Sequence, residues 1–345
     1  MYIVTLSKDF LETKGGETYL LERVNAAHLL MFQKPEIMHY FDEPVCHGDD
    51  GVLVVRPGGI GDLVHLSPTL KALEERHGEK VDVAVAERYM SVVRHHPSVR
   101  HVIQYPTLSS ALSKYKKIYW LEDSVEEETE LHMADAFLEA CGFDHTQIDA
   151  YDKRPRLYFP EAYRKPPKVV KKRLGIQCKA SAKCRTPEVK QLAGVMEWYV
   201  RHGWEIYIFG APGEVDIDHE AITNTTQYKK PLSILESAHL MQTCELFIAP
   251  DSGLLHIASA LRIPSVGLYG PFPADLRVRY SPFCVGVEAK APCAPCFWHS
   301  RGKLFPDGCP SAKKNKCMVL DAIQTKTIVE AGEVAMGKKK GYESK

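Results

Sequence analysis

The stretch VLVVRPGGIGDLVHLSPTLKAL, residues 52–73, decides the fold of this chain. An apolar run leads into a glycine-rich turn, and the turn leads into a segment with apolar residues spaced as on one face of a helix. The order strand, glycine turn, helix is typical of βαβ units, in which helices cover both faces of a mostly parallel sheet. The segment therefore predicts an α/β protein.

The same alternation continues on both sides of one interruption. Residues 160–172, PEAYRKPPKVVKK, are basic, proline-rich and without periodicity, which predicts a linker between two domains. Strands are predicted at 52–55, 81–86, 99–105, 117–121, 173–178, 204–209, 245–249 and 264–269, and helices at about 64–76, 89–95, 127–141, 187–203 and 233–243 and from Gly253. Both halves thus have the same plan.

We predict four regions from these patterns. Residues 1–50 form an extension of unassigned role packed on the first domain, with β-like pieces at 2–6 and 18–24. Residues 51–165 and 166–335 form two Rossmann-like domains, the second with a cysteine-rich loop at 284–317. Residues 336–345 form a loose, polar tail.

Composition narrows the function classes. The 345 residues include 44 Lys+Arg and 44 Asp+Glu, and this zero net charge gives no indication of a nucleic-acid partner. The first residues lack the pattern of a signal peptide, and no apolar run reaches about 18 residues, so we expect a cytoplasmic protein without a transmembrane segment. A peripheral contact with a membrane is left open.

The glycine turn predicts an anion site in the first domain. Gly58, Gly59 and Gly61 let the backbone approach a ligand, and the free amides of the following helix start favour negative charge. The turn is neither a G-x-G-x-x-G nor a P-loop, so dinucleotide and ATP phosphate binding are not indicated. Asp62 is either a helix cap or a functional carboxylate.

A second strand-to-helix turn occurs in ELFIAPDSGLLHIASALRIPSVGLYGP, residues 245–271. Asp251, Ser252 and Gly253 open a helix at a strand end, and His256 follows one turn later. Such a turn suits phosphate or sugar hydroxyls at the carboxyl edge of a parallel sheet. Alternatively, Asp251 and Ser252 only cap the helix and His256 only packs.

Taken together, GGIGD at 58–62, VAVAERY at 83–89, HPSVRHVI at 96–103 and the 245–271 stretch resemble glycosyltransferase family 9, the bacterial heptosyltransferases, over most of residues 51–330. The resemblance implies the GT-B architecture, with acceptor bound mainly by the first domain and nucleotide-sugar donor by the second. It makes Asp62 the general base of an inverting transfer that needs no catalytic metal.

The resemblance also implies donor-binding residues. Asp251, Ser252 and Gly253 match the motif whose helix-start amides hold the pyrophosphate, and His256 anchors that loop or touches the donor. A basic residue is expected before a proline in CKASAKCRTPE, residues 178–188, where Lys183 and Arg185 both qualify. We favour Arg185 for its planar fork, and a solvated loop is the alternative for both.

Cysteines cluster near the end of the second domain. Cys293, Cys296, Cys309 and Cys317 have the spacing C-x2-C-x12-C-x7-C, and four thiolates suit a structural zinc or iron. His299 could replace one ligand, and reduced loop thiols are the alternative. Some relatives that glycosylate surface proteins hold iron with four such residues. We expect Cys284, the fifth cysteine of this region, to pack.

The leading hypothesis is a glycosyltransferase that uses a nucleotide sugar, most simply ADP-heptose, and a lipopolysaccharide-core, glycan or protein acceptor. A non-catalytic nucleotide-sugar or glycan-binding relative is the alternative, because typical members begin almost at the strand before the glycines, whereas fifty residues precede that strand here. An epimerase or oxidoreductase is disfavoured by the absence of G-x-G-x-x-G and of a Tyr-x-x-x-Lys pair.

Overall fold

A computed structural model gives the fold of the chain. It describes the backbone of residues 2–5, 18–21 and 36–40, and residues 48–343 apart from 49, 108, 123, 126–129, 217–219, 229 and 297–316. Within this part of the chain, no helix is both long enough and apolar enough to cross a membrane.

The first half is built on a parallel sheet with the strand order β6-β5-β4-β7. Its strands are β4 (Val52–Val55), β5 (Val81–Ala86), β6 (Val99–Tyr105) and β7 (Lys117–Trp120). All four residues of β4 are buried, as expected for a central parallel strand covered on both faces. The accompanying helices are α1 (Ile60–His65), α2 (Ser67–His77), α3 (Met90–Val93), α4 (Ser109–Leu112) and α5 (Met133–Ala140).

The second half carries a parallel sheet with the order β10-β9-β8-β11-β12-β13. The strands are β8 (Arg173–Gln177), β9 (Glu205–Phe209), β10 (Ile222–Asn224), β11 (Leu246–Pro250), β12 (Ser265–Tyr269) and β13 (Cys284–Glu288). The helices are α6 (Val189–Arg201), α7 (Ile234–Met241), α8 (Gly253–Ala260), α9 (Asp275–Val278), α10 (Met318–Ala322) and α11 (Thr325–Glu343). Two parallel sheets with helices confirm the predicted α/β class.

Ahead of both sheets, β1 (Tyr2–Thr5) pairs antiparallel with β2 (Thr18–Leu21) and with β3 (Glu36–Tyr40). The first two strands lie within the predicted β-like pieces, whereas β3 was not predicted. An antiparallel sheet distinguishes this region from the two parallel halves, and β2 lies next to α4.

Apolar packing continues from one half to the other. One buried cluster joins residues of the first half, such as Val54 and Leu70, to residues of the second half, such as Phe247 and Leu255. A second cluster fills the other face of the second sheet beneath α6 and α11. The halves therefore share a hydrophobic seam at the face where α1 meets α8.

The helix predicted at 64–76 is wrong in its start and its continuity. It begins at Ile60, because Asp62 accepts a hydrogen bond from the Gly59 backbone N–H and so closes the first turn. It breaks at Leu66, because Pro68 has no N–H to continue the ladder. The Ser67 hydroxyl donates instead to the Val64 carbonyl.

Three other boundaries also differ from the predictions. Helix α5 begins only at Met133, where the His132 ring accepts from the Ala134 N–H. Cys284 lies in β13 and is buried, so the cysteine-rich loop starts after that strand. Residues 336–343, predicted as a loose tail, continue α11, which is consistent with lysine, methionine and alanine as good helix formers.

Candidate active site

The two predicted strand-to-helix turns face each other across the seam between the halves. Helix α1 follows β4, and α8 follows β11. A methyl group on Gly61 would lie 2.6 Å from Cδ2 of His256, and one on Gly253 would lie 2.7 Å from Cβ of Ile60. Glycine is therefore required at both positions for the close approach of α1 and α8, which brings the two predicted motifs into one site.

Asp62 is held at the start of α1 by two partners. Its Oδ2 accepts from the Gly59 N–H at 2.8 Å and lies 3.2 Å from an Arg56 guanidinium nitrogen. Burial opposes ionisation of the carboxyl, but the Arg56 charge and the Gly59 hydrogen bond outweigh it and lower the pKa of Asp62. The lowered pKa keeps this carboxylate ionised, and because its side chain is 25% exposed, a ligand can reach it.

Arg56, at the end of β4, was not singled out from the sequence. It is buried, donates to the Leu121 carbonyl at 2.6 Å and stacks over the Phe137 ring. These contacts fix the guanidinium, and through it the Asp62 carboxylate. A charged residue directly before the glycine turn is the signal that sequence reasoning could have used.

Asp251, at the other turn, is a buried centre of charge. Its Oδ2 lies 3.3 Å from a guanidinium nitrogen of Arg185, and its Oδ1 lies 3.3 Å from His256 Nε2 and 3.8 Å from Arg277 Nε. Burial raises the pKa of this carboxyl, but the His256 hydrogen bond and the two arginine charges hold it far below its usual range. Asp251 therefore positions cations.

His256 connects this network to the first half. Since Nε2 faces the Asp251 carboxylate, the proton is assigned to Nε2, and Nδ1 then accepts from Nε2 of His65 at 3.0 Å. His65 lies at the end of α1, and both imidazoles are buried. The packing histidine of the sequence analysis is thus a bridge between the two turns, and His65 is a residue that sequence reasoning missed.

The remaining donor-side residues differ in exposure. Ser252 precedes α8 and donates its hydroxyl to the side chain of Gln177. Arg185 donates to the Asp251 carbonyl at 3.0 Å and to the Ser181 hydroxyl at 2.7 Å, while Lys183, two residues earlier in the same helical turn, is exposed. Of the two candidate cations, only Arg185 is therefore built into the Asp251 network.

Arg277, in α9, joins the site without having been predicted. It is buried, stacks over the Phe272 ring, and its charge lowers the pKa of both Asp62 and Asp251. It thus places positive charge between the two turns. No local motif marks it, because a single arginine in a four-residue helix acquires its meaning only from residues far away in sequence.

Three of the four predicted cysteine ligands can be placed. Cys293 is exposed, Cys296 donates its thiol to the Cys293 carbonyl, and Cys317 is buried against Gly270, while Cys309 and His299 lie outside the described residues. In the part of the chain that is described, only Glu139, Asp144 and His145 bring three possible metal ligands within 4.8 Å of one another. A cysteine cluster is therefore not formed by the placed thiols alone.

Residues 108–303 match the family model described as glycosyltransferase family 9 (heptosyltransferase), and this match covers more than half of the chain. The chain belongs to glycosyltransferase family 9. The matched segment contains the Asp251 turn, whereas the Asp62 turn precedes it. Among curated relatives, lipopolysaccharide heptosyltransferase 1 of Pseudomonas aeruginosa is 34% identical over 65 residues, which is 19% of this chain and 18% of that protein.

Solved structures of the family share the fold. The ADP-heptose lipopolysaccharide heptosyltransferase II of E. coli superposes with a TM-score of 0.61 at 15% identity, covering 84% of this chain and 99% of that one. The iron-containing dodecameric glycosyltransferase TibC of enterotoxigenic E. coli gives a TM-score of 0.64 at 14% identity, covering 89% and 82%. These similarities confirm the predicted GT-B architecture for this family member.

Proposed function

We propose that this family 9 protein is an inverting glycosyltransferase that moves a sugar from a nucleotide-sugar donor, most simply ADP-heptose, to a hydroxyl of a lipopolysaccharide-core, glycan or protein acceptor. The observation that carries the proposal is the seam itself, where an ionised, reachable carboxylate faces a turn rich in buried cations. Support comes from the family match, and one solved relative is described in complex with ADP-D-β-D-heptose.

Asp62 is proposed as the general base. A carboxylate with a low pKa is a weak base towards a free hydroxyl, but the acceptor hydroxyl becomes acidic as it bonds to the anomeric carbon, and the proton then transfers to Asp62. Arg56 and the Gly59 N–H hold the carboxylate in one orientation, so little reorganisation is needed during attack. Attack from the face opposite the leaving diphosphate inverts the centre.

The second half is proposed to stabilise the leaving group. The first N–H groups of α8 have no partner within the helix and suit the pyrophosphate oxygens. Arg185 and Arg277, which lie 3.3 and 3.8 Å from Asp251, place two positive charges beside the start of α8, where they suit a diphosphate. Exposed Lys183 is proposed as a further contact with the donor.

The test pairs Asp62→Asn with Asp144→Asn. Asp144 is an exposed aspartate that also caps a helical turn, so its substitution controls for loss of a cap. We expect Asp62→Asn to lower kcat for transfer from ADP-heptose to heptose-free lipopolysaccharide by about 10²- to 10⁴-fold, with donor affinity by calorimetry within about threefold of wild type. We expect Asp144→Asn to retain full activity.

Each alternative predicts a different result. Undiminished transfer by a folded Asp62→Asn protein would show that this carboxylate is not the base. Donor binding without transfer by the wild-type protein favours the non-catalytic relative. Failure of the wild type to bind ADP-heptose, together with binding of a UDP- or GDP-sugar, would overturn the proposed donor and leave the site assignment standing.

A structural metal remains a separate proposal. Cys293 and Cys296 belong to one turn, as a two-thiolate ligand pair requires, and with Cys309 and Cys317 they would hold zinc or iron that braces the loop. The iron-containing relative TibC supports iron as the metal. Elemental analysis after anaerobic purification should find about one metal ion per chain, lost in Cys293→Ser/Cys296→Ser, and metal-free wild-type protein would contradict the site.

A further inference from the structure

A pocket of about 230 Å³ opens on the seam at the far end of α8 from the candidate active site. Its walls come from both halves. Residues 151–158 of the first half supply Tyr151, Arg154, Arg156 and Tyr158, and the second half supplies Arg262 and Tyr280. The pocket has no part in the proposed transfer reaction, because eight residues of helix, or ~12 Å, separate it from the start of α8.

The charge of this pocket is unbalanced. Three arginines line it, and no aspartate or glutamate is among its described lining residues. None of the three guanidinium groups forms an ion pair with any carboxylate that the structure places. Like charges gathered in a concave surface raise the local concentration of anions, so the cluster favours a negatively charged ligand.

Aromatic rings orient the guanidinium groups without using their hydrogen-bond donors. Arg154 and Arg156 lie over the Tyr151 ring at 4.7 and 5.2 Å, and Arg262 lies over the Tyr342 ring at 4.8 Å. Stacking fixes the plane of a guanidinium while its N–H edge stays available for a planar, bidentate acceptor. Phosphate and carboxylate oxygens are the acceptors that this geometry fits.

Arg154 and Arg262 converge on one phenol ring although they come from different halves. Their guanidinium groups lie over the Tyr342 ring, 6.0 and 4.8 Å from its centroid, and Arg154, followed by Arg262, lowers the pKa of that phenol. Tyr342 is 43% exposed near the end of α11, so an anion can reach the two guanidinium groups beside it. Two cations from different halves that already meet at a single ring are arranged for a shared anion.

The backbone conformation at Arg262 indicates that its side chain has a specific role. Arg262 follows α8 with a φ of 59°, the left-handed conformation in which a helix-ending residue is usually glycine. It is the one residue other than glycine with positive φ in the described part of the chain. An arginine is unfavourable there compared with glycine, which indicates that the guanidinium contributes something that the chain reversal itself does not need.

We infer that this pocket is a second anion site, which binds a phosphomonoester group through Arg154, Arg156 and Arg262. The tyrosine rings leave room for the apolar or sugar portion of the ligand beside the phosphate. Since both halves supply cations, a bound phosphate holds them together at the end of the seam opposite the active site. The phosphate belongs either to a soluble molecule or to an anionic lipid head group, and the two sources are separable by experiment.

The test reads Arg154 directly, because free phosphate also has access to the proposed donor site. Phenylglyoxal labels accessible guanidinium groups, and peptide mass spectrometry resolves each arginine. We expect inorganic phosphate to protect Arg154 in the wild-type protein, and the half-protecting concentration to rise at least tenfold in Arg156→Gln/Arg262→Asn. Asparagine is chosen at 262 because it tolerates the left-handed conformation.

Arg201→Gln is the matched control, since Arg201 is an exposed arginine on α6 outside the pocket. This variant should show the wild-type protection of Arg154. Equal labelling of Arg154 with and without phosphate in the wild type overturns the site without reliance on any variant. Protection that is unchanged in a folded double variant overturns the assignment to Arg156 and Arg262.

A second arm identifies the source of the phosphate. Wild-type protein is sedimented with phosphatidylcholine vesicles with or without phosphatidic acid. Binding that needs phosphatidic acid, and that is lost in the double variant but kept in Arg201→Gln, assigns the site to a lipid head group. Protection by inorganic phosphate without vesicle binding assigns it to a soluble phosphomonoester.

Discussion

The turn at Asp62 and the turn at Asp251 have the same strand-to-helix architecture, but their aspartates have different roles. Each follows a buried parallel strand, opens a helix and contains a glycine against which the opposite half packs. Their carboxylates differ. Asp62 meets one arginine and is 25% exposed, whereas Asp251 is 4% exposed and lies among two arginines and a histidine.

This difference separates a group available for chemistry from a group that arranges others. A carboxylate enclosed by cations on all sides has no free lone pair for a substrate proton, while one held by a single arginine and one amide keeps a side open. Sequence motifs mark both aspartates equally. Their surroundings, supplied by residues far along the chain, distinguish the two.

The largest effect that we expect comes from identical substitutions at the two turns. Asp251→Asn removes the buried carboxylate that Arg185, Arg277 and His256 face, and should lower the free energy of unfolding by about 3–5 kcal/mol. Asp62→Asn removes a partly exposed partner of one arginine and should cost about 1–2 kcal/mol. Urea unfolding measures both, and equal losses would refute the distinction between the two carboxylates.

A second expectation concerns pH and the first half alone. Burial disfavours the charged imidazolium and lowers the pKa of His96 to about 4, although the hydrogen bond that Nε2 donates to the Ser67 carbonyl raises it. The neutral ring also accepts the Ser98 N–H at Nδ1, and this hydrogen bond is lost when Nδ1 is protonated. The stability that this neutral ring contributes is complete above pH ~6.5 and is lost as pH falls towards 4, by about 3 kcal/mol. Asp251 stays ionised over this range.

Unfolding free energies at pH 7 and pH 4.5 test this expectation. Between these two pH values, His96→Gln should lose less stability than the wild type, because glutamine has no proton to take up. Hydrogen exchange should accelerate in 52–77 before it does in 246–260. An identical loss of stability in the wild type and His96→Gln would show that His96 does not titrate as the buried ring predicts.

The smallest expected effect tests the contact between the turns. Gly61→Ala places a methyl group 2.6 Å from the His256 ring, which must shift and weaken its hydrogen bond to His65, at a cost of about 1–3 kcal/mol. Gly337→Ala is the matched control, because that helical glycine has nothing within 4 Å, and it should stabilise by about 0.5–1 kcal/mol. Thermal unfolding should shift in opposite directions, and a stabilised Gly61→Ala would contradict the close approach.

Local patterns predicted most of the framework. Apolar runs such as 52–55 and 81–86 became buried parallel strands, and the first of them leads, as predicted, into a glycine turn and a helix. Predicted helix boundaries were wrong where a single side chain determines the boundary. The hydrogen bond from Gly59 to Asp62 starts α1 earlier than its apolar periodicity indicates, and Pro68 divides it.

Only some residues of the candidate site could be predicted from the sequence. Motifs indicated Asp62, Asp251 and His256, because strand-end turns have recognisable residues. Arg277 and His65 were missed, since a buried ion pair and an imidazole bridge join residues 26 and 191 positions apart. The first pairing depends on how α9 packs against the Asp251 turn within the second half, and the second on how helices from separate halves cross; no local window contains either.

The order of the two halves along the chain also determines which half can fold first during translation. The first parallel sheet is complete once residue 120 has emerged, and since domains fold as units from the N-terminal side, it can form while the ribosome is still translating the second half. Asp251, by contrast, emerges 26 residues before Arg277, the cation that helps to neutralise it. In a nascent chain paused between these positions, Asp251 lacks this partner, so the charge network of the Asp251 turn is complete only after translation has passed Arg277.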